Sequence, residues 1–274
     1  MKQGDPLVSV VLATRNRAEL LSKAITSVLG QSYKNIELII VNDASADRTP
    51  QIIQEWEEQD KRVSHVRNDE RSGRVRSANR GIRTARGAYV ARIDDDDTWC
   101  DPSKLVKQVS FLESNPEYVL VGGGVIRVDR IEKELLRFLP PQQDRDIRKV
   151  MLQFNPFAQS AVVFRKAEWD LENGYDERLE SSVSEDWDLW MRLGKKGKLH
   201  NFPEYFARCL EAGQNLSHQK FLHNARVTLA LRLKYRNDYS NFLQGYLRGL
   251  ISLLLAFLPF HFSIRRLFWR ARQK

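Results

Sequence analysis

The stretch YVARIDDDDTWCDPSKL, residues Tyr89 to Leu105, sets four consecutive aspartates, Asp94 to Asp97, directly behind a run of strand-forming residues. Adjacent carboxylates repel one another and add nothing to a core, so they either idle in water or converge on something positive. Upstream, AYVARI reads as a strand. Downstream, DPSKLVKQVSFLESNP reads as a helix with Asp101 as its N-cap and Pro102 in its first turn. The aspartates therefore fill the loop of a strand–helix unit.

The same unit repeats toward the N-terminus. LVSVVLAT (Leu7 to Thr14) and IELIIVND (Ile36 to Asp43) are near-continuous apolar runs, the pattern of strands buried on both faces. RVSHVRN reads as a short third strand. Between them AELLSKAITSVLGQ, RTPQIIQEWEEQ and RSANRGIRTARG read as helices, the last ending at Gly87 as a C′ glycine. Strand–helix alternation implies a mostly parallel central sheet with helices on both faces, a Rossmann-like α/β fold. Ligands in such sheets bind beyond the carboxyl ends of the strands, where strand order reverses. Thr14-Arg15-Asn16, Asn42-Asp43 and Asp94 to Asp97 all end strands at that one edge, which is the predicted site.

The second half is less regular. YVLVGGGVIRVD and KELLRFLP read as strands, QSAVVFRKAEW as a strand running into a helix, and SEDWDLWMRLGKKG as a short helix closed by Gly194 or Gly197. Composition changes near Ser217, which suggests a domain over residues 1–217 and a helical, basic segment over 218–274.

The chain has 274 residues, 42% hydrophobic and 29% charged, which fits an ordered globular protein and argues against disorder. A formal charge of +9 points to an anionic partner. Cys100 and Cys209 stand far apart with no CxxC or Cys/His cluster, so neither a zinc site nor a disulfide framework is indicated. The first residues read as a strand and not as a signal peptide.

Hard divalent cations take carboxylate oxygens and keep water or substrate phosphate in their shell, so Asp94 to Asp97 suit a metal-bridged phosphate compound. An EF-hand loop would need its glycine and closing glutamate, and both are missing. No Walker A motif and no GxGxxG follows the first strand, which disfavours ATP hydrolysis and dinucleotide binding.

Three segments in order, PLVSVVLATRNRAELLSKAITSVLGQSYKNIELIIVNDASADRT, NRGIRTARGAYVARIDDDDTW and SEDWDLWMRL, resemble the family-2 glycosyltransferases of the GT-A fold across roughly residues 6 to 217. The resemblance implies inverting, non-processive sugar transfer from a nucleotide-diphosphate donor carrying UDP, GDP or dTDP. It implies that Asp43 reads the base, that Ala13, Thr14 and Arg15 line the same pocket, and that Asp94 lies near the ribose, with Asp95 also on the donor nucleotide. Asp96 and Asp97 are the implied ligands for Mn²⁺ or Mg²⁺. Asn79 matches the family asparagine, but Ala78 stands where an arginine is usual, which leaves Arg74, Arg76 or Arg71 to face the donor phosphates. Glu185-Asp186 match the family's acidic pair, with Asp186 the candidate base and Glu185 the second. Trp187 and Trp190 are candidates to stack on the acceptor sugar. No Q-x-x-R-W follows, so a processive synthase is disfavoured.

The tail from Gly249 to Phe262 is uncharged and is followed by Arg265, Arg266, Arg270, Arg272 and Lys274. It is too short to span a bilayer and is broken by Pro259, so it reads as a helix lying on an anionic membrane or packed on the catalytic domain. These features lead to a cytoplasmic enzyme, peripheral at the inner face of the membrane. Its acceptor would be a hydroxyl of a glycan or polyprenyl-diphosphate-linked glycan in bacterial surface-polysaccharide synthesis, with no nucleic-acid partner. The rivals are a sugar-nucleotide nucleotidyltransferase, which normally carries a glycine-rich basic loop absent from LATRNRAELL, and a non-catalytic protein binding membrane or nucleic acid.

Overall fold

The β-branched runs form the strands they imply. The computed structural model describes residues 4–211 and 221–256. Its first half builds β1 (Val8–Thr14), α1 (Ala18–Leu29), β2 (Ile36–Asp43), α2 (Thr49–Gln59), β3 (Val63–Asn68), α3 (Arg74–Thr84), β4 (Tyr89–Arg92), β5 (Thr98–Trp99) and α4 (Lys104–Ser114). Its second half adds β6 (Tyr118–Val128), β7 (Glu134–Phe138), α5 (Asp144–Val150), β8 (Val163–Arg165), α6 (Lys166–Leu171), α7 (Glu185–Gly194) and β9 (Lys198–Leu210). Two further helices follow, α8 (Phe221–Lys234) and α9 (Phe242–Leu255).

One sheet runs in the order β3-β2-β1-β4-β8-β6-β9-β5, with β7 also paired to β6. The first four neighbours are parallel, and β8 enters antiparallel to both β4 and β6. From β1 the chain steps to β2 on one side and later to β4 on the other. The crevice for a ligand therefore opens between the ends of β1 and β4.

Successive side chains of a strand point to opposite faces, and both faces here are covered. Val8, Val10 and Leu12 of β1 join Leu21, Ala24, Ile25 and Val28 of α1 and Leu105, Val109 and Leu112 of α4 in one core. Val11 faces the other way, into a second core with Val75, Ala78 and Ile82 of α3 and Leu189, Trp190 and Leu193 of α7. Gly81 lets α3 sit directly on the sheet, because a Cβ there would lie 2.7 Å from both Val11 Cγ1 and Val41 Cγ2.

Several local expectations change. Gly87 is not a helix cap: α3 ends at Thr84, and Gly87 lets the chain pass against β1, its N–H donating to Ser9 Oγ at 2.9 Å. Asp101 builds the turn ahead of α4 by accepting from Ser103 N, and the helix starts at Lys104. The long β9 has no clear signature in KLHNFPEYFARCL. Pro203 falls where its pairing with β6 shifts register, as a residue without an N–H must.

The C-terminal segment meets the rest of the fold at α7 and at the Lys149–Gln153 stretch that ends α5. Asp188, fully buried, accepts from Arg192 Nε, Lys234 Nζ and Tyr235 OH, each at 2.8 Å. Arg232 lies over the Trp187 ring and donates to Leu152 O. The basic tail beyond Ala256 and the boundary at residue 217 lie outside the described residues. No helix among the described residues is long and apolar enough to cross a membrane.

Candidate active site

The carboxyl ends of β1 and β4, the turn after β4 and the first turn of α7 converge. Asp97 N closes the aspartate loop onto Asp94 O at 3.1 Å. The segment before β8 holds this loop in place. Ser160 Oγ accepts from Asp94 N and donates to Asp97 Oδ2 at 2.5 Å, while Gln159 Nε2 donates to Asp94 Oδ1 at 2.8 Å. Leu210 N donates to the other Asp97 oxygen, and Trp99 Nε1 fixes Ser160 by donating to its carbonyl.

The four carboxylates then differ in what they can offer. Both Asp97 oxygens are engaged by the protein. Among the described residues Asp96 is met only by its own backbone N–H and by Arg17, at 3.7 Å, which also lies 3.7 Å from Asp95. Burial, reinforced by the Asp96 charge, pushes Asp95 up to about 7 against the help of Thr14 and Arg17. Burial and the Asp94 charge raise Asp96, and burial with Asp94 and Asp96 pushes Asp97 up to about 8. Raised carboxyl groups at one spot mean uncompensated negative charge, the environment a hard cation relieves. No three acidic, histidine or cysteine side chains among the described residues form a closed metal cage. Such a donor set suits a hard cation only where water and a substrate diphosphate complete its shell.

The first turn of α7 lines the same cleft as these aspartates, a space of about 1130 Å³. Asp186 lines that cleft with Asp94, Asp96 and Asp97. Its Oδ2 accepts from Asn155 Nδ2 at 2.8 Å and its Oδ1 from Trp187 N at 2.7 Å. Burial first, and the Glu185 charge second, push it up to about 8. Glu185 is instead locked in a two-pronged ion pair with Arg74, whose guanidinium also donates to Ser182 O. The Glu185 charge in turn raises Arg74, against the effect of burial. Replacing Arg74 by methionine leaves a buried carboxylate without its partner, at a cost of about 3 kcal/mol. Urea unfolding should register that loss, and the double change Arg74→Met, Glu185→Leu should recover most of it.

The first turn of α3 is already engaged. Gly73 adopts φ +97°, and a Cβ there would collide with the Glu180 carboxylate. Glu180 Oε2 accepts from Val75 N at 2.8 Å and Arg76 N at 3.2 Å.

The remaining expectations fare unevenly. Ala13 borders a small cavity with Arg92, Asp94 and Tyr175, while Thr14 is buried and Arg15 is exposed. Asp43 is buried and bound by the protein itself: Oδ1 accepts from Asn68 and Ser72 N, and Oδ2 from Gly73 N. Burial acts to raise it, but those donors outweigh burial and hold it low. Asn79 is fully buried. Its amide donates to Tyr175 O and Glu177 and accepts from Tyr175 N, pinning that loop. Arg76 is exposed and leans toward Glu177 at 3.4 Å, bordering none of these cavities. Trp187 and Trp190 are not sugar platforms: both are buried, Trp190 against Phe157, Phe164 and Tyr175. The helical repeat turns them inward, away from the cleft that Asp186 faces.

Arg17, Asn155, Gln159 and Ser160 were not anticipated. The polar pair Gln159-Ser160 immediately before an apolar strand is the one signal that could have marked them.

The family model for glycosyl transferase family 2 matches residues 9–171. The chain is 31% identical over 221 residues to the putative glycosyltransferase EpsE of Bacillus subtilis (strain 168), covering 80% of this chain and 78% of that protein. It is 29% identical over 192 residues to the UDP-Glc:alpha-D-GlcNAc-diphosphoundecaprenol beta-1,3-glucosyltransferase WfaP of Escherichia coli, covering 70% and 71%. Among solved structures, the mannosyltransferase PcManGT from Pyrobaculum calidifontis in complex with GDP-Man and Mn²⁺ superposes with a TM-score of 0.66 at 20% identity, covering 92% of this chain and 70% of that one. That likeness places the fold among GT-A glycosyltransferases. Sheet, acidic loop and sequence matches agree, and the chain belongs to glycosyl transferase family 2.

Proposed function

We propose that the protein transfers one sugar, with inversion, from a nucleotide-diphosphate sugar to a hydroxyl of a glycan or lipid-linked glycan. The setting would be bacterial surface-polysaccharide synthesis at the inner face of the cytoplasmic membrane. One observation carries the reading: a single cleft is lined both by Asp94, Asp96 and Asp97 and by Asp186.

Inversion requires the acceptor oxygen to attack the anomeric carbon from the side opposite the leaving diphosphate. A base must take the hydroxyl proton as the bond forms. Asp186 fills that role, with Asn155 and the Trp187 N–H fixing its carboxylate and its raised pKa making it a stronger base than an ordinary aspartate. Glu185, tied to Arg74, positions the start of α7 and leaves proton transfer to its neighbour. Asp96, with Asp97 behind it and Asp94 beside it, would hold Mn²⁺ or Mg²⁺. Such a cation supplies Lewis-acid neutralisation of the departing diphosphate. Ala13, Thr14 and Asp94 border the donor side at the β1/β4 crevice. Asp43 orders the Ser72–Gly73 turn there and reaches a base only by exchanging those donors.

Titration calorimetry with UDP, GDP, dTDP and CMP, in Mn²⁺ and then in EDTA, tests this. Metal-dependent binding of one nucleoside diphosphate is expected. Silence across the panel from folded protein would favour the non-catalytic rival.

A further inference from the structure

The cleft that holds Asp186 is acidic at its floor and different at its mouth. One rim is β7 and the turn after it, where Leu135 and Leu139 are exposed. The other is α9, which contributes Arg248. Neither Arg248 nor Arg127, which lines the same cleft from β6, has a side-chain hydrogen bond or ion pair among the described residues.

Helix α9 has two unlike faces. Gly245 and Gly249 are buried, the first against the Leu152 backbone and the second against Leu229 of α8. On the other side Leu243, Leu247, Ile251 and Leu254 recur at helical spacing and are 66%, 50%, 47% and 69% exposed. At about 1.5 Å per residue, this helix is too short to span a bilayer, so such a face suits the plane of a membrane interface. Charge favours an anionic surface, since the sequence beyond Asp238 holds no acidic residue and gains Arg248, Arg265, Arg266, Arg270, Arg272 and Lys274.

We propose that α9 lies in an anionic lipid surface on its Leu243–Leu254 face, and that Arg248, turned into the adjoining cleft, binds the diphosphate of a lipid-linked acceptor. Arg127, which lines the same cleft, takes part. One helix then seats the enzyme on the bilayer and presents a cation to a headgroup rising from it. The acceptor class rests on the glycosyl-transfer reading above; the membrane contact does not.

Sedimentation of the full chain with three vesicle types tests both halves: phosphatidylcholine alone, phosphatidylcholine with phosphatidylglycerol, and phosphatidylcholine doped with undecaprenyl diphosphate. The pair Leu247→Glu, Ile251→Glu should weaken binding to the phosphatidylglycerol vesicles about tenfold or more. Arg248→Ala should keep most of that binding but lose the added retention on vesicles doped with undecaprenyl diphosphate. Matching thermal unfolding of each variant and wild type confirms that these exposed or half-buried changes leave the fold intact. Wild-type sedimentation by the glutamate pair would overturn the α9 contact. Retention of the diphosphate effect in Arg248→Ala would overturn the acceptor site. Because vesicle binding needs no donor, these failures are distinct from a wild-type protein that binds no nucleoside diphosphate, which would remove the glycosyl-transfer reading instead.

Discussion

Asp186→Asn should lower kcat by about a thousandfold, within the range assigned to general-base removal. Asparagine keeps the shape, and its carbonyl can still accept from Asn155 or from Trp187 N, which both hold the side chain now. What it lacks is a lone pair basic enough to take the acceptor proton. Donor affinity, measured by calorimetry, should change by only a few-fold, because the donor side of the crevice lies at the ends of β1 and β4. The pH profile supplies the sharper reading. Asp186 is pushed up to about 8, so its active, ionised form is the minority below that pH. In the wild type kcat/KM should therefore climb as pH rises from 6, reach half its limit near 8 and level off only about one pH unit higher, and the asparagine variant should lose that limb. A residual rate within tenfold of wild type would move the base elsewhere.

Asp96→Ala should cut nucleoside diphosphate affinity in Mn²⁺ by about a hundredfold or more, to the level of wild type in EDTA. Asp96 is held only by its own backbone N–H and the distant Arg17, whereas Asp97 is held by Ser160 and Leu210 N. Stability should move the other way. Asp96 is raised by burial and by Asp94, so its charged form is disfavoured in the metal-free fold. Removing it relieves repulsion on Asp95 and Asp97, and without metal the variant should melt at or above the wild-type temperature. Loss of binding together with a lower melting temperature would mean damage to the loop and not loss of a ligand.

Much of this was legible in the residues. Strands buried on both faces announce themselves through runs such as VSVVL and ELIIV, and the order of polar strand ends located the crevice before any coordinates. The strand β9 was not legible, since Pro203 and interleaved polar residues break the alternation a reader looks for. Side-chain direction was the harder limit. Trp187 and Asp186 are neighbours, yet one faces the core and the other the cleft, and a helix of ten residues with apolar groups on most sides does not declare its angle. The roles of Asp43 and Asn79 depend on partners 25 to 98 residues away, Asn68, Ser72, Gly73, Tyr175 and Glu177, which no local pattern pairs. Gln159 and Ser160 were hidden for the same reason, although they hold the aspartate loop that the sequence displays most plainly.

Glu180, seated on the first turn of α3, bears on where the enzyme obtains its positive charge. Many phosphate-binding folds leave such a helix end bare, so that N–H groups and the helix dipole are a permanent fixture of the protein. Here the chain has installed its own counter-anion at Val75 N and Arg76 N, and that charge source is closed. On the proposed chemistry the leaving diphosphate would then be neutralised by side-chain arginines of the site and by an ion borrowed from solution. Turnover would follow the free divalent cation level of the compartment, and an enzyme of this design idles when that supply falls even with donor and acceptor in excess.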